Sequence, residues 1–114
     1  MYKNFNNYPI IKVSVQMLRP EEGGRSGCYA LLQASDYFGQ YRPHIRFEGT
    51  QKMWGVGFEV LEDASYEKQT MMVGQFMFEK PPNESLTIDR QFDMLEGSRV
   101  VGHGTIIDIV FPDV

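Results

Sequence analysis

Alternation of apolar and polar side chains is the feature that most constrains the fold of this 114-residue chain. In one segment near the start, the apolar positions share a single face: Ile11, Val13, Val15 and Met17. This period of two indicates a half-buried β-strand, because successive side chains of a strand point to opposite faces. Helical periodicity is almost absent along the rest of the chain, so the pattern favours an all-β domain.

Six segments have the composition of short strands bounded by polar, proline or glycine-rich turns: 10–19, 42–47, 54–61, 69–80, 91–95 and 99–110. Pro20 ends the first, since proline cannot donate to a ladder of hydrogen bonds. A sheet this small is best stabilised by closure, which removes its exposed edges. The sequence therefore predicts a small closed six-stranded antiparallel barrel.

The later strands carry specific expectations about their faces. Around Gly74, one face is expected to hold Met72, Phe76 and Phe78. In the last strand, Asp108 is expected outside and the buried face is expected to hold Val101, Ile107 and Ile109. The turn 96–98 should be tight, with Gly97 supplying the positive φ that a hairpin needs.

A long loop is expected between Glu21 and Gln40, with a short extended piece at 28–32, and loops of this length are more often functional than idle. Aromatic residues interleaved with arginines are typical of protein or RNA interfaces. With the outward face of the next strand, they form the predicted partner-binding set: Arg25, Tyr29, Tyr37, Phe38, Tyr41, Arg42, His44 and Arg46. The alternatives are an aromatic plug at one end of the barrel and an ordinary solvent-facing strand.

Composition limits the classes of function. Fifteen acidic against eleven basic residues give a formal charge of -4, which opposes a purely electrostatic grip on nucleic acid. Cys28 is the only cysteine, so an intramolecular disulfide and a cysteine-rich metal site are excluded. No apolar stretch approaches the roughly 20 residues of a membrane span, and a signal peptide is not evident, so a soluble cytoplasmic protein is expected.

Catalytic motifs do not stand out, and the sequence predicts a protein that is not an enzyme and needs no cofactor or metal. Gly102-His103-Gly104 lacks the third glycine and the following helix of a nucleotide loop, so a nucleotide partner is not expected. A membrane partner is not expected either, because no apolar stretch is long enough for a span. The only histidines are His44 and His103. A small-molecule binder or enzyme at the barrel mouth stays open as an alternative, if both histidines meet carboxylates there.

Three segments follow one another in a specific order: Glu21-Glu22-Gly23-Gly24-Arg25, then Tyr41-Arg42-Pro43, then Glu96-Gly97-Ser98-Arg99-Val100-Val101-Gly102-His103-Gly104. Together they resemble the C-terminal β-barrel (domain 3) of elongation factor Tu, over about 10–110. The resemblance implies a Greek-key barrel that here forms a single free-standing domain over 1–114. The family's nucleotide-binding domain has no counterpart in this length, so its GTPase activity does not carry over.

In elongation factor Tu this barrel contacts the T-stem of tRNA, the exchange factor and the nucleotide-binding domain. The resemblance therefore implies possible RNA-binding positions at Arg25, Glu96, Gly97 and Arg99. However, Ser26 and Leu95 stand where the family has a histidine and a basic residue, so two RNA contacts are lost. We expect a non-catalytic barrel that binds another protein, with binding of tRNA-like RNA as the alternative.

Overall fold

The computed structural model describes residues 7–26, 41–62 and 64–112, which contain six strands and no α-helix. The strands are β1 (Ile10–Met17), β2 (His44–Phe47), β3 (Trp54–Val60), β4 (Thr70–Phe76), β5 (Gln91–Glu96) and β6 (Arg99–Val110). They pair antiparallel in the order β1-β4-β3-β2-β5-β6, and β6 returns to β1. The all-β class and the closed six-stranded barrel are confirmed.

The strand order is that of a Greek key. Strands β2, β3 and β4 follow one another as neighbours, and β1 lies beside β4 although it precedes all three in the chain. The connection from β1 to β2 therefore joins two strands that are not neighbours in the sheet. Its middle, 27–40, lies outside the described residues, and so do Cys28 and the extended piece expected at 28–32.

Side chains of the strands fill the barrel interior. The expected face of β1 is confirmed, because Ile11, Val13 and Val15 have no exposed surface. They belong to one cluster of buried residues that includes Phe58 from β3 and Phe76 from β4. A barrel of this size is a packed core and not a pore. Side chains of several strands therefore fill the described part of the interior.

Phe78 is not on the buried face, and that prediction was wrong. Strand β4 ends at Phe76, and the chain bends at the next two residues. The ring of Phe78 lies outside the barrel, where its Cδ2 is 3.1 Å from the position that a Cβ on Gly55 would occupy. The side chain of Phe78 is 79% exposed, whereas Met72 and Phe76 are fully buried as expected.

A β-bulge overturns the expected face of β6. Lys12 pairs with Asp108 and Val13 pairs with Ile106, so Ile107 is an extra residue on β6. An extra residue reverses the alternation beyond it. Ile107 is 36% exposed and Ile106 takes the buried position, which makes the prediction for Ile107 wrong. Val101 is buried and Asp108 is exposed as expected, and Ile109 is half-buried against the core.

The β5–β6 turn confirms the prediction for Gly97, whose φ is +64°. Glycine accepts this left-handed conformation without the steric cost that a Cβ brings. Between residues 7 and 112, apart from the undescribed stretches, no helix is long and apolar enough to cross a membrane.

Candidate functional site

The three segments that carry the family resemblance meet at Glu96, the last residue of β5. Arg25 Nε lies 2.8 Å from Glu96 Oε2, an ion pair whose N–H is not aligned on the oxygen. The hydroxyl of Tyr41 donates to the same oxygen at 2.6 Å. The guanidinium of Arg25 also lies 6.0 Å from the centre of the Tyr41 ring. We call these three residues the Glu96 cluster.

Electrostatics keeps Tyr41 neutral in the Glu96 cluster. Burial raises the pKa of Tyr41, and its hydrogen bond to the Glu96 carboxylate raises that pKa further. The phenol is therefore a permanent donor at ordinary pH. Tyr66 reinforces the arrangement, since its hydroxyl donates to the backbone carbonyl of Arg25 at 2.5 Å. The cluster joins the end of the Gly-Gly-Arg segment to the last hairpin.

Two of the predicted partner-binding residues are used internally. Tyr41 is only 8% exposed, so its ring presents little surface to a partner, and its partner-binding role stays a prediction. Arg25 was also predicted as an RNA contact, but Glu96 holds its guanidinium. Tyr29, Tyr37 and Phe38 lie outside the described residues.

The hairpin positions implied by the resemblance divide between the Glu96 cluster and the surface. Glu96 is half-buried, whereas Gly97 and Arg99 are exposed in and after the turn. Arg99 and Glu96 are cross-strand neighbours in the β5–β6 ladder. The RNA-binding role of these positions stays a prediction.

Arg42, which precedes β2, and His44 on its outer side are exposed, as the sequence predicts. Arg46 forms an ion pair. Its Nη2 lies 2.9 Å from Asp93 Oδ2, across the β2–β5 ladder. On the other side of β5, His103 Nδ1 lies 2.8 Å from Asp93 Oδ1. The Asp93 carboxylate on β5 thus connects side chains of β2 and β6. It also neutralises the charge of Arg46, one of the predicted partner-binding residues.

Asp93 is held in its ionised form. Partial burial raises its pKa, but the hydrogen bonds from Arg46 and His103 outweigh burial, and the pKa of Asp93 is lowered overall. The two histidines do not meet, because His44 lies opposite Leu95 and His103 lies opposite Asp93. The two histidines therefore lie on different strands at different register positions, and the alternative of an enzyme or small-molecule binder stays a prediction.

A polar groove of about 380 Å³ lies beside this carboxylate, on the outside of the barrel. Its lining includes Gln16, Gln69, Gln91 and Thr105, together with the Arg46, Asp93 and His103 side chains. Arg46 and His103 both bond to Asp93, whereas the Glu48 side chain in the lining is exposed. The described residues contain no group of three or more potential ligands that could hold a metal.

An exposed aromatic surface lies on the neighbouring strands, and the sequence did not predict it. The ring of Phe78 covers Gly55, which pairs with His44. Met53 is 42% exposed, and an ion pair of 3.0 Å between Lys52 and Glu79 holds its segment beside Phe78. We call His44, Met53, Gly55 and Phe78 the Phe78 surface.

The chain matches no known protein-family profile, and no curated protein shows significant sequence similarity to it.

Proposed function

We propose that this chain is a non-catalytic, cytoplasmic barrel of the elongation factor Tu C-terminal type that binds another protein through the Phe78 surface. The observation that carries the proposal is the 79% exposure of Phe78 beside exposed His44. A large aromatic side chain with so much surface in water is a common anchor of protein interfaces.

The energetics favour a protein partner for this surface. Covering an exposed phenylalanine contributes about 1.5 to 3 kcal/mol, enough to make it the central contact of a small interface. Charged pairs flank the ring, with Lys52–Glu79 on one side and Arg46–Asp93 further along β2. An apolar centre with a polar rim is the usual anatomy of such an interface.

Charge supports a protein over RNA as the partner. Two arginines of the predicted set, Arg25 and Arg46, face carboxylates at 2.8 and 2.9 Å. The whole chain carries a formal charge of -4. Binding to a phosphate backbone needs several basic groups whose counterions are released on contact.

The proposal is tested by affinity capture from the native cell extract with the wild type and the Phe78→Ser variant. Partners held by the Phe78 surface should be lost with Phe78→Ser. The Glu84→Ser variant is the control, because Glu84 is also exposed but lies in the 3-10 turn Asn83–Ser85, outside the Phe78 surface. A Tyr37→Ala/Phe38→Ala variant tests the aromatic loop residues separately. Identical partners for the wild type and Phe78→Ser would contradict the proposed surface.

The RNA alternative is tested by a gel shift with tRNA at low salt. The proposal expects no shift. A shift that weakens steeply with added salt and disappears in Arg99→Ala would favour the RNA-binding alternative, since displaced counterions make phosphate binding salt-dependent. Arg99 suits this test because it is exposed and lies next to the Glu96 cluster without belonging to it.

A further inference from the structure

The last part of β6 has a strand neighbour on one edge only. Pairing with β5 ends at Thr105, opposite Gln91, and the backbone of Ile106 bonds to Asp89 and Arg90. From there to Val110, β6 pairs with β1 alone. No strand of the described residues lies along the other edge of 107–110. We call this segment the free β6 edge.

Apolar side chains are concentrated around the free β6 edge. Six large hydrophobic residues of the described ranges are exposed, and four of them are here: Ile88 (53%), Ile107 (36%), Val110 (57%) and Phe111 (46%). Ile88 belongs to this group because its neighbour Asp89 bonds to Ile106. An apolar strand edge with unpaired backbone groups is a template for another strand.

Charge decides which strand fits. Asp108 is exposed in the middle of the edge, and its Oδ1 accepts the backbone N–H of Ile109 at 2.9 Å. Glu48, Asp89 and Arg90 line a cleft of about 400 Å³ next to Ile88, and the Arg90 guanidinium lies over the ring of Phe47. Lys12 lies opposite Asp108 on β1, which is the paired edge of β6. A second copy of the chain would bring the same carboxylates and another formal charge of -4. A segment with basic side chains complements the edge, and a second copy does not.

We infer that the free β6 edge receives an extended segment of a partner protein in which apolar side chains alternate with lysine or arginine. A carbonyl of that segment replaces the Asp108 carboxylate as the acceptor for the Ile109 N–H. The carboxylate is then available to a basic side chain of the incoming strand. This surface is separate from the Phe78 surface, so the two proposals stand or fall independently.

The test measures the binding of three synthetic, end-capped heptapeptides to the full chain. Fluorescence anisotropy gives the affinity, and NMR of the backbone amides shows where each peptide binds. The first alternates valine and lysine, the second has glutamate in place of lysine, and the third has proline at the centre of the first. The valine–lysine peptide should shift the amide resonances of 107–110 and bind about tenfold more tightly than the glutamate peptide. The proline peptide should not bind, because proline interrupts the strand.

The Asp108→Lys variant gives the sharpest control. Asp108 is exposed, so the variant should fold, and it should prefer the glutamate peptide over the lysine peptide. Phe78→Ser should bind the lysine peptide as the wild type does. The inference is overturned by equal binding of the two charged peptides, by shifts away from 107–110, or by no binding up to about 1 mM. Sedimentation of the free protein as a dimer that Ile107→Lys dissociates would assign the edge to a second copy instead.

Discussion

At the scale of single residues, Glu96 has the widest influence. Its carboxylate receives Tyr41, which is 55 residues away in the chain, and Arg25, which belongs to the segment after β1. These two residues stand on either side of the undescribed stretch 27–40. The predicted partner-binding residues Arg25 and Tyr41 therefore both bond to the last residue of β5.

Replacing Glu96 by glutamine should lower the free energy of unfolding by about 1 to 2 kcal/mol. The amide can still accept the Tyr41 hydroxyl, but Arg25 loses the charge that offsets its partial burial. Urea denaturation at pH 7 measures the loss. Glu84→Gln is the control, because Glu84 is an exposed carboxylate in the 3-10 turn Asn83–Ser85. Equal losses in the two variants would show that the Glu96 cluster has no special role.

The turn at Gly97 gives a second prediction at this scale. Nothing lies within 4 Å of a Cβ added to Gly97, so only its φ of +64° resists substitution. Gly97→Val should lower the free energy of unfolding by about 1 to 3 kcal/mol, since a β-branched residue is strained in this conformation. Ser98→Ala, at the next position of the turn, should cost little. Thermal melts compare the two, and an unchanged melting temperature for Gly97→Val would contradict the strained turn.

At the scale of elements, β6 combines two kinds of irregularity in one strand. Its bulge at Ile107 moves an apolar side chain to the outside, which creates part of the free β6 edge. Earlier in the strand, Gly104 makes room for the ring of Phe92 from β5. A side chain from the neighbouring strand thus occupies the space that a Cβ at this position would need.

Substituting alanine for Gly104 tests this packing. The added Cβ would lie 2.3 Å from Cζ of Phe92, so the ring must move within a filled core. Overpacking of this kind costs about 1 to 3 kcal/mol of the free energy of unfolding. The double variant Gly104→Ala/Phe92→Leu should recover part of the loss, as measured by urea denaturation. Additive losses in the double variant would rule out the ring contact as the cause.

At the scale of the whole molecule, Asp93 couples the folded barrel to pH. The lowered pKa of Asp93 means that the folded state favours the carboxylate. The contacts of this carboxylate with Arg46 and His103 therefore stabilise the fold at pH values above the ordinary pKa of aspartate. This stabilisation is lost as the pH falls through the lower pKa of the folded state. Acid should therefore weaken the contact that joins β2, β5 and β6.

The matching experiment compares the wild type with Asp93→Asn at pH 7 and near pH 3. The wild type should be the more stable protein at pH 7. The difference in stability should shrink at the lower pH, because the unfolded wild type then binds a proton at Asp93 more readily than the folded protein does. Urea midpoints give the measurement at both values. Glu84→Gln again serves as the control, since this exposed residue should not alter the pH dependence. If the difference in urea midpoint between the wild type and Asp93→Asn is the same at both pH values, the lost stability comes from changed packing and not from the lost charge.

The predictable part of the candidate site was the part set by local pattern. The outward positions of Arg42 and His44 followed from alternation along β2. The ion pairs of Arg25 and Arg46 did not, because each depends on which residue of another strand lies opposite. Phe78 was misplaced for the same reason. The alternation of side chains continues past Phe76, but the pairing of β4 with β3 ends there, and local sequence does not show where a neighbouring strand stops.

By itself, the sequence determined the all-β class, the buried face of β1 and the tight turn at Gly97, because side-chain alternation and glycine conformation act over a few residues. Tertiary structure alone decided the register between β1 and β6, where one extra residue at Ile107 reverses which side chains face the core. It also decided that Arg25, Tyr41 and Glu96 meet. Barrel closure sets such long-range pairings, and they depend on the packing of all six described strands together.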